Sequence, residues 1–428
     1  MKRVLIITYY WPPSGGAGVQ RWLKFAKYLP GYDWEPVILT VDPQDATYPV
    51  TDPTLNQEIN PSTRVYRTRS KELFSLYKKV SGAGQVPHAG FAGETHRISF
   101  KQIIARFIRG NFFLPDPRKG WNRFAAKKAG EILSNEKIDC IVTTGPPHST
   151  HLIGIKLSEK YRIPWVADFR DPWTDIYYYK QFYPGYFANK YNKKKEKEVL
   201  EKANMVLTVG PTLQEILGEK ITLGRDKVKV ITNGYDPDDF KNLEAPDPDY
   251  FTLTYVGTIA ETYPLEPFFK ALKSLLNEFE HMRVRFIGTI SSKFLQMIKE
   301  LPQGQIKIMS YVEHATAIGY MSSSDALLLV IPSHASNKGI LTGKLFEYLA
   351  VARPVLLIGP EDGDAASILR EAKSGSICSG MDEKEIKNIL SQLIKAPPTV
   401  YPVKSYNREI ITRKLAGLFD GIRSQYPA

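Results

Sequence analysis

The hydrophobic positions of the chain form short unbroken runs that alternate with longer amphipathic segments. Residues 3–9 and 35–41 are apolar without a polar face, and residues 19–29 between them place apolar side chains at helical spacing. Strands of this kind are typical of a parallel sheet that helices cover on both sides. The opening pattern therefore predicts an α/β fold that begins with a strand, a loop and a helix.

The same alternation continues in two series. Further strands are predicted at residues 138–144, 164–169, 205–209 and 228–232, and then at 252–256, 283–287, 305–309, 326–330 and 354–358. Helices are predicted at 123–133, 149–160, 265–279 and 343–352. The Pro- and Asp-rich residues 236–250 suit a linker between the two series. Because 428 residues exceed the roughly 250–300 that one core supports, we predict two Rossmann-like domains, over residues 1–235 and 251–405.

Composition narrows the classes of function. The chain has 57 Lys+Arg against 45 Asp+Glu, a net charge of +12, which favours nucleic acid, an acidic membrane surface or phosphorylated substrates as partners. Two cysteines exclude a disulfide scaffold, and the longest apolar run is far shorter than the ~20 residues of a membrane-spanning helix. No recognition helix, zinc finger or RNA-binding motif is present, so a nucleic-acid binder is a poor fit.

Two segments are rich in basic residues. Residues 70–115 mix Lys and Arg with Phe, Leu and Ile, which predicts either a surface helix pair or an amphipathic insertion that lies on anionic lipid. Residues 190–202 alternate Lys with Glu, and this favours a solvated helix face. We expect a cytoplasmic protein that is peripheral at the inner face of the membrane.

Two loops are suited to binding an anion. Gly15 and Gly16 lie in a Gly-Gly-Ala-Gly turn between the first strand and helix, where backbone N–H groups can approach a phosphate. The turn matches neither common nucleotide fingerprint, so a simple tight turn is the alternative. Gly343 and Lys344 begin a predicted helix, a position that favours a diphosphate, and Glu347 lies one turn later, within reach of a ribose. The alternative there is an ordinary amphipathic helix with Lys344 and Glu347 paired on its surface.

The run Gly-Lys-Leu-Phe-Glu-Tyr-Leu-Ala at 343–350, followed by Arg-Pro-Val-Leu at 353–356, resembles the donor-binding motif of glycosyltransferases with the GT-B fold, particularly retaining family 4 of the capsule, O-antigen or exopolysaccharide type. The Asn-Gly-Tyr-Asp run at 233–236 and the Tyr-Val-Gly-Thr run at 255–258 resemble two further family motifs. The resemblance covers nearly the whole chain. It implies two Rossmann-like domains that face each other across a cleft, with a C-terminal helix in residues 406–428 that completes the first domain.

The resemblance also implies a donor site, formed by Gly15, Gly16, Gly257, Lys338, Lys344 and Glu347. Glu347 matches the second glutamate of the family's E-x7-E motif, but glycine occupies position 339, where the first glutamate is expected. The loop after Gly257 also lacks a basic residue that many members use against the diphosphate. Either Lys338, Lys344 or Arg285 takes the place of this basic residue, or the donor is held mainly by backbone amides.

The first domain supplies the residues around the acceptor in this interpretation. His148 and Asp171 are the predicted catalytic residues, and Arg170 and His151 are predicted on the acceptor side. His148 matches the cleft histidine of the family, whereas the Arg-Asp pair resembles its (F/L)-R-D-x-W run. The alternative for His148 is a helix-start or core histidine, and His151 is a rival for its role.

The function implied is transfer of a hexosyl or N-acetylhexosaminyl group from a nucleotide-sugar donor to a hydroxyl of a saccharide or lipid-linked acceptor in bacterial polysaccharide biosynthesis. The anomeric configuration is retained, and neither a metal nor a cofactor is implied. The two Asp-x-Asp strings at 236–238 and 247–249 lie in the linker and are interpreted as turn residues. The alternatives are an enzyme like the nucleotide-sugar 2-epimerases and a non-catalytic nucleotide-sugar-binding protein.

Overall fold

The computed structural model describes residues 1–71, 100–334 and 336–426. It divides into two compact units. The first contains the described residues of 1–232 together with 408–426, and the second contains residues 233–407. Most of the basic segment predicted at 70–115 falls outside the described residues. None of the helices in the described ranges is long and apolar enough to cross a membrane.

The first unit is a parallel sheet with helices between its strands. Its seven described strands are β1 (Lys2–Ile7), β2 (Trp34–Val41), β3 (Arg64–Thr68), β4 (Cys140–Gly145), β5 (Trp165–Phe169), β6 (Met205–Thr208) and β7 (Val228–Val230), in the order β3-β2-β1-β4-β5-β6-β7. Its described helices are α1 (Ala17–Tyr28), α2 (Phe100–Phe112), α3 (Asn122–Asn135), α4 (His151–Tyr161), α5 (Tyr186–Lys202) and α6 (Pro211–Gly218). The central strands are buried along their whole length, as their unbroken apolar runs predict.

The second unit repeats this plan on a smaller scale. Its six described strands are β8 (Phe251–Val256), β9 (Met282–Ile287), β10 (Ile306–Met309), β11 (Ala326–Val330), β12 (Val355–Ile358) and β13 (Gly375–Cys378), in the order β10-β9-β8-β11-β12-β13. Its described helices are α7 (Glu266–Glu278), α8 (Ser292–Lys299), α9 (His314–Ser322), α10 (Gly343–Val351), α11 (Asp364–Glu371) and α12 (Glu383–Lys395). Every strand pair is parallel in both sheets.

The last helix, α13 (Arg408–Ser424), belongs to the first unit rather than to the second. It packs on α1, and its Phe419 lies edge-on to Trp34, with the two ring centroids 5.3 Å apart. The indole of Trp34 also donates a hydrogen bond to Asp420 at 3.1 Å. The predicted fold, two Rossmann-like domains with a C-terminal helix that returns to the first, is confirmed.

Some local predictions need correction. The edge strands β3 and β13 were not predicted, because their side chains are only half-buried and their sequences carry no continuous apolar run. Residues 190–202 lie in α5, and Lys193, Lys194 and Lys197 there are exposed, as expected for a solvated face. Another face of the same helix is buried, where Glu196 pairs with Lys220 at 2.7 Å. The Asp-x-Asp strings do form turns, since Asp236 and Asp247 each accept a hydrogen bond from the backbone two residues on.

A buried ion pair fixes the first helix to the centre of the first sheet. Arg21 of α1 contacts Asp168 of β5 at 2.9 Å, and both side chains are inaccessible to solvent. The same carboxylate accepts hydrogen bonds from the Trp22 indole at 2.7 Å and the Thr144 hydroxyl at 2.9 Å. Arg21 also donates to the carbonyl of Ile231, just beyond β7, at 2.8 Å. One charged pair thereby joins α1 to strands β4 and β5 and to the segment that leaves the sheet.

We expect Arg21→Met to lower the free energy of unfolding of the first unit by about 3–5 kcal/mol, because it leaves the Asp168 carboxylate buried without its counter-charge. All six tryptophans of the chain lie in this unit, so tryptophan fluorescence during urea unfolding reports on it. The control is Lys202→Met, which removes an exposed partner of Glu159 and should cost less than about 1 kcal/mol. Equal losses in the two variants would contradict this role of the buried pair.

Candidate functional site

Lys344 of α10 lies against the carboxyl end of strand β8. Its ammonium is 4.4 Å from the ring centroid of Tyr255 and donates a hydrogen bond to the Tyr255 hydroxyl at 3.2 Å. Gly257 follows that strand with φ 126°, and a methyl group at this position would lie 2.7 Å from Nζ of Lys344. Glycine is therefore required here by both the backbone conformation and the close approach of the lysine.

The charge and the surroundings of Lys344 suit it to bind an anion. Burial lowers the pKa of its ammonium to about 8, and Glu347 opposes that shift only in part. The side chain remains half-exposed, so a ligand can reach it. The buried hydroxyl of Thr342, at the N-cap of α10, has no hydrogen-bond partner among the described residues. A cation, an unused hydroxyl and a helix N-terminus thus occur together, as phosphate oxygens require.

Glu347 lies one turn further along α10 and contacts a residue that the sequence did not suggest. Its carboxylate is 3.0 Å from Nε2 of His314, at the start of α9. The sequence-based alternative, a surface pair of Lys344 with Glu347, is not the contact found, because the lysine instead turns toward Tyr255. The carboxylate is only partly covered and retains lone pairs for the hydroxyls of a ligand.

The other cations proposed for the donor lie elsewhere in the second unit. Lys338 is exposed and forms an ion pair with Asp362. Its charge is thus directed to a surface carboxylate and does not add to the anion site at Lys344. Arg285 donates to the Ser323 hydroxyl at 3.0 Å, just beyond the C-terminal end of α9. Since that end leads into the amino end of β11, Arg285 does not point to the carboxyl edge. The suggestion that Arg285 compensates for a missing basic residue is therefore wrong.

A cavity of about 280 Å³ opens at the carboxyl edge of the second sheet. It is lined by loops that follow β11, β12 and β13, including Ser333, Asn337, Gly359 and Glu361. A larger depression of about 370 Å³ lies where β12 and β13 begin. Ligands of doubly wound sheets bind outside the carboxyl ends of the strands, and the edge that carries Lys344 is therefore the better candidate.

His148 is the corresponding residue at the carboxyl edge of the first sheet. It follows β4, and its ring stacks on Trp173 with centroids 5.1 Å apart and planes 8° from parallel. Burial, followed by the nearby His151 and Arg170, lowers the pKa of His148 well below its ordinary value. The ring hydrogen-bonds the backbone at Pro172, while its Nδ1 has no partner among the described residues. A neutral, rigidly held imidazole is the result.

His151 is a core residue, and the predicted contact with an acceptor does not fit its surroundings. Its side chain is fully buried, stacks on Phe169 at 4.4 Å between centroids, and lies 2.9 Å from the Thr143 hydroxyl through Nδ1. Burial lowers its pKa to about 3, with Arg170 contributing to the shift. Of the two rival histidines, only His148 retains partial exposure.

Arg170 joins the start of α1 to the loop after β4. Its guanidinium donates hydrogen bonds to the carbonyls of Gly145 at 3.0 Å and Pro146 at 2.6 Å, and also to the carbonyl of Gly18. Each of its three nitrogens is thus engaged by backbone, and this makes Arg170 a support for the first turn of α1 and for the loop after β4. The predicted contact of Arg170 with the acceptor substrate would therefore use the N–H hydrogens that these three carbonyls do not bind.

Asp171 is the carboxylate at this edge that can meet a substrate. It is half-buried, and its side chain accepts no hydrogen bond within the part of the chain that the structure describes. Burial raises the pKa of Asp171, while the adjacent Arg170 acts in the opposite direction. An unengaged carboxylate beside a fixed guanidinium is well suited to accept a hydrogen bond, or a proton, from a hydroxyl.

The glycine turn of the first unit offers fewer amides than its sequence suggests. The N–H of Gly15 donates to the Val50 carbonyl at 2.9 Å, so in this conformation it is not available to an anion. Gly16 has φ 82°, which favours glycine, and its N–H has no backbone acceptor among the described residues. Of these two described glycines, Gly16 is therefore the one whose N–H can still bind an anion.

A residue that sequence reasoning missed sets the position of His148. Asp116 accepts hydrogen bonds from the Ser149 backbone N–H at 2.7 Å and from the Ser149 hydroxyl at 3.0 Å. It thereby fixes the short turn that carries the histidine. Burial raises the pKa of Asp116, and these hydrogen bonds oppose the shift. Its position just before a Pro-Arg-Lys-Gly turn gave no indication of this contact.

Comparisons with known proteins agree with this architecture. Residues 87–239, less than half of the chain, match the model of Glycosyltransferase Family 4. A glycosyltransferase from Rickettsia africae ESF-5 superposes with a TM-score of 0.61 at 13% identity, covering 98% of this chain and 98% of its own. Anabaena Alr3699/HepE in complex with UDP gives 0.58 at 13% identity, covering 99% and 98%. A putative UDP-N-acetylglucosamine 2-epimerase from Listeria monocytogenes gives 0.57 at 10% identity, covering 100% and 98%.

No curated protein sequence matches the chain significantly. At these identities the structural likeness shows the fold, which is the two-domain GT-B architecture of glycosyltransferases.

The lowered pKa of Lys344 leads us to expect that binding of a nucleoside diphosphate takes up a proton near pH 8. The free ammonium deprotonates as the pH rises through about 8, whereas a bound dianion favours the charged form. Affinity for UDP should therefore fall between about pH 7 and pH 9, and calorimetry in buffers of different ionisation enthalpy should show proton uptake.

The folding stability of the unliganded protein should depend on pH in the opposite direction. Stability linked to Lys344 rises with pH between about 8 and the ordinary value of 10.5, because the unfolded chain binds more protons there.

Lys344→Met serves as the control for this measurement and should abolish the proton uptake. Lys338→Met should leave it unchanged, because the Lys338 ammonium is exposed and paired with Asp362. A pH-independent affinity in the parent protein would show that Lys344 does not contact the diphosphate.

Proposed function

We propose that this protein is a glycosyltransferase that moves a hexosyl or N-acetylhexosaminyl group from a nucleotide sugar to a hydroxyl of a saccharide or lipid-linked acceptor. The reaction proceeds with retention at the anomeric carbon and needs no metal ion. The GT-B fold, the family match over residues 87–239 and the UDP complex of a structural neighbour support the proposal.

The arrangement of Lys344, Thr342 and Gly257 carries this proposal. When the bond from sugar to diphosphate breaks, negative charge develops on the departing phosphate oxygens. A preformed cation and a helix N-terminus stabilise this charge more strongly in the transition state than in the intact donor, which is the condition for catalysis. The Lys344 ammonium is held by the Tyr255 ring and hydroxyl before any ligand arrives, so little reorganisation is needed. Glu347, whose carboxylate is held by His314, then accepts hydrogen bonds from the ribose hydroxyls one turn away.

The first unit supplies the groups that meet the sugar and the acceptor. His148 is neutral and held by Trp173, so the partly exposed face of its ring can position the sugar or the acceptor. Asp171 accepts the hydrogen bond, and then the proton, of the attacking hydroxyl. Neither residue acts as a covalent nucleophile in this scheme, in keeping with the family that the motifs resemble.

A 2-epimerase-like enzyme is the second candidate, and the Listeria monocytogenes neighbour is the observation that favours it. The two activities differ in their products. A transferase releases nucleoside diphosphate in proportion to glycosylated acceptor, whereas an epimerase of this kind returns an isomerised nucleotide sugar without an acceptor. Analysis of the products by mass and by proton NMR, with and without an acceptor panel, distinguishes them, and the anomeric coupling constant reports retention.

We expect a nucleoside diphosphate to raise the melting temperature of the protein, because a ligand that binds only the folded state stabilises it. Lys344→Ala should weaken this binding by about 1.5–3 kcal/mol, the range for a hydrogen bond to a charged group. The measurement is a thermal-shift titration with UDP, GDP, ADP and TDP, with Lys338→Ala as the matched control. If all four nucleotides leave the melting temperature of the parent unchanged at millimolar concentration, the proposed donor site is wrong.

We expect His148→Ala to lose at least about tenfold in turnover while donor affinity changes little. Loss of one preorganised polar contact typically costs 10²–10³ in rate, and the nucleotide is held by the second unit. His151→Ala should instead lower stability through a cavity in the core, with a milder loss of turnover. Steady-state kinetics together with melting temperatures separate the two effects. Full activity in His148→Ala, or a larger loss of turnover in His151→Ala, would place the reacting groups elsewhere.

A further inference from the structure

Helix α2 (Phe100–Phe112) turns its apolar side chains outward and one of its arginines inward. Four apolar side chains in its first two turns are 76%, 38%, 39% and 47% exposed, namely those of Phe100, Ile103, Ile104 and Phe107. Their spacing of three and four residues places them on one face of the helix. Arg106, on another face, is buried. A helix that only covers a sheet buries its apolar face, so this outward stripe calls for a partner.

The stripe continues onto the start of helix α5 (Tyr186–Lys202). Gly110 packs so closely against Phe182 that a methyl group there would meet the Phe182 carbonyl at 2.1 Å. The Asn111 side chain donates to the Tyr183 carbonyl at 3.0 Å and accepts from the Gly185 N–H at 2.7 Å. These contacts fix the first turn of α5 beside the end of α2. Its exposed side chains join those of α2 in one surface, the α2–α5 face, which comprises Phe100, Ile103, Ile104, Phe107, Phe112, Tyr186 and Phe187.

The two described stretches that form the α2–α5 face carry only positively charged side chains. Residues 100–115 and 176–195 contain no aspartate or glutamate. Five lysines in these two stretches are exposed, namely Lys101, Lys180, Lys190, Lys193 and Lys194. The Lys190 ammonium lies 5.7 Å from the ring centroid of Tyr186, so the cations border the apolar side chains directly. Elsewhere on α5 the lysines are paired with glutamates, as Lys195 is with Glu198.

We propose that the α2–α5 face is a docking surface for an anionic lipid bilayer. Exposed Phe and Ile side chains enter the boundary between headgroups and acyl chains, Tyr side chains lie at headgroup depth, and the bordering lysines contact lipid phosphates. The proposal stands apart from the transfer reaction, since it uses none of the residues assigned to donor or acceptor. It assigns particular side chains to the membrane association that the net charge and the basic segment at 70–115 lead us to expect.

Two other partners fit the face less well. A second copy of the chain docking by two-fold symmetry would bring the same lysines close to each other, and residues 100–115 and 176–195 supply no carboxylate to pair with them. Single-stranded nucleic acid is held by aromatic rings that stack on bases, whereas the middle of this stripe is formed by the aliphatic Ile103 and Ile104. A bilayer accepts both aliphatic and aromatic side chains, and its phosphates match the lysines.

The test measures partition of the full chain onto vesicles of phosphatidylcholine with phosphatidylglycerol, and onto vesicles of phosphatidylcholine alone. The parent should bind the mixed vesicles more tightly, lose affinity as salt rises to about 0.15 M, and retain a fraction that further salt does not remove. The stripe variant, with Phe100→Ser, Ile104→Ser and Phe107→Ser, should bind at least about tenfold more weakly, because each side chain contributes buried apolar area. The matched control places three serines on exposed apolar sites elsewhere, at Leu223, Tyr311 and Tyr401.

The result that supports the proposal is loss of binding in the stripe variant while the control binds like the parent. Unchanged melting temperatures and nucleotide shifts in both variants establish that they are folded. Absence of binding by the parent, or equal binding by parent and stripe variant, would overturn the proposal. So would tighter binding of an oligonucleotide than of vesicles through the same side chains, or stripe-dependent dimerisation seen by light scattering.

Discussion

The buried pair of Arg21 and Asp168 is the constraint on which the first unit depends. A charged pair without solvent contact is stable only if every polar atom has a partner, and here the indole of Trp22 and the hydroxyl of Thr144 complete the shell of the carboxylate. These bonds fix α1 over strands β4 and β5. The first turn of α1 and the end of β4 consequently meet at one edge, where Arg170 donates to the carbonyls of Gly18 and Gly145.

The second unit reaches a similar arrangement with different chemistry. In both sheets the strand order reverses beside the first strand, and the loops on either side of that reversal lie at the carboxyl edge. The first unit closes this edge with an arginine held by backbone carbonyls and presents a neutral histidine and a carboxylate. The second unit places an ammonium against a tyrosine and a glycine. The topology provides the edge, and the individual side chains determine which ligand groups each edge can meet.

The fold could be predicted from the sequence because its evidence is local. Buried strands such as β11 appear as unbroken apolar runs, and its predicted bounds are those observed. The candidate site was predicted only as far as motifs mark it, as for Lys344 and His148. Its contacts join distant parts of the chain: Lys344 and Tyr255 are 89 positions apart, and Arg21 and Asp168 are 147 apart. No local pattern connects such pairs.

Charged residues inside otherwise apolar segments gave the one signal that could have indicated more of this network. Asp168 interrupts the apolar strand β5, and Arg21 interrupts the apolar stripe of α1. Since a lone buried charge is too costly to retain, each implied a partner of opposite sign. His314 had no comparable signal, because it begins a helix at an exposed position and meets Glu347 only through the packing of α9 against α10.

Burial lowers the pKa of one basic group at each edge, and its different consequence for a lysine and a histidine explains a division of chemistry between the units. Burial lowers the pKa of Lys344 to about 8, so the charged form that a phosphate requires is held at the expense of folding free energy. An anion that binds there removes this cost, which makes the lysine selective for dianionic ligands over neutral sugars. Burial acts on His148 in the same direction and leaves the ring neutral, so this histidine offers no positive charge to a phosphate. The same physical effect therefore favours a phosphate in the second unit and an uncharged group in the first.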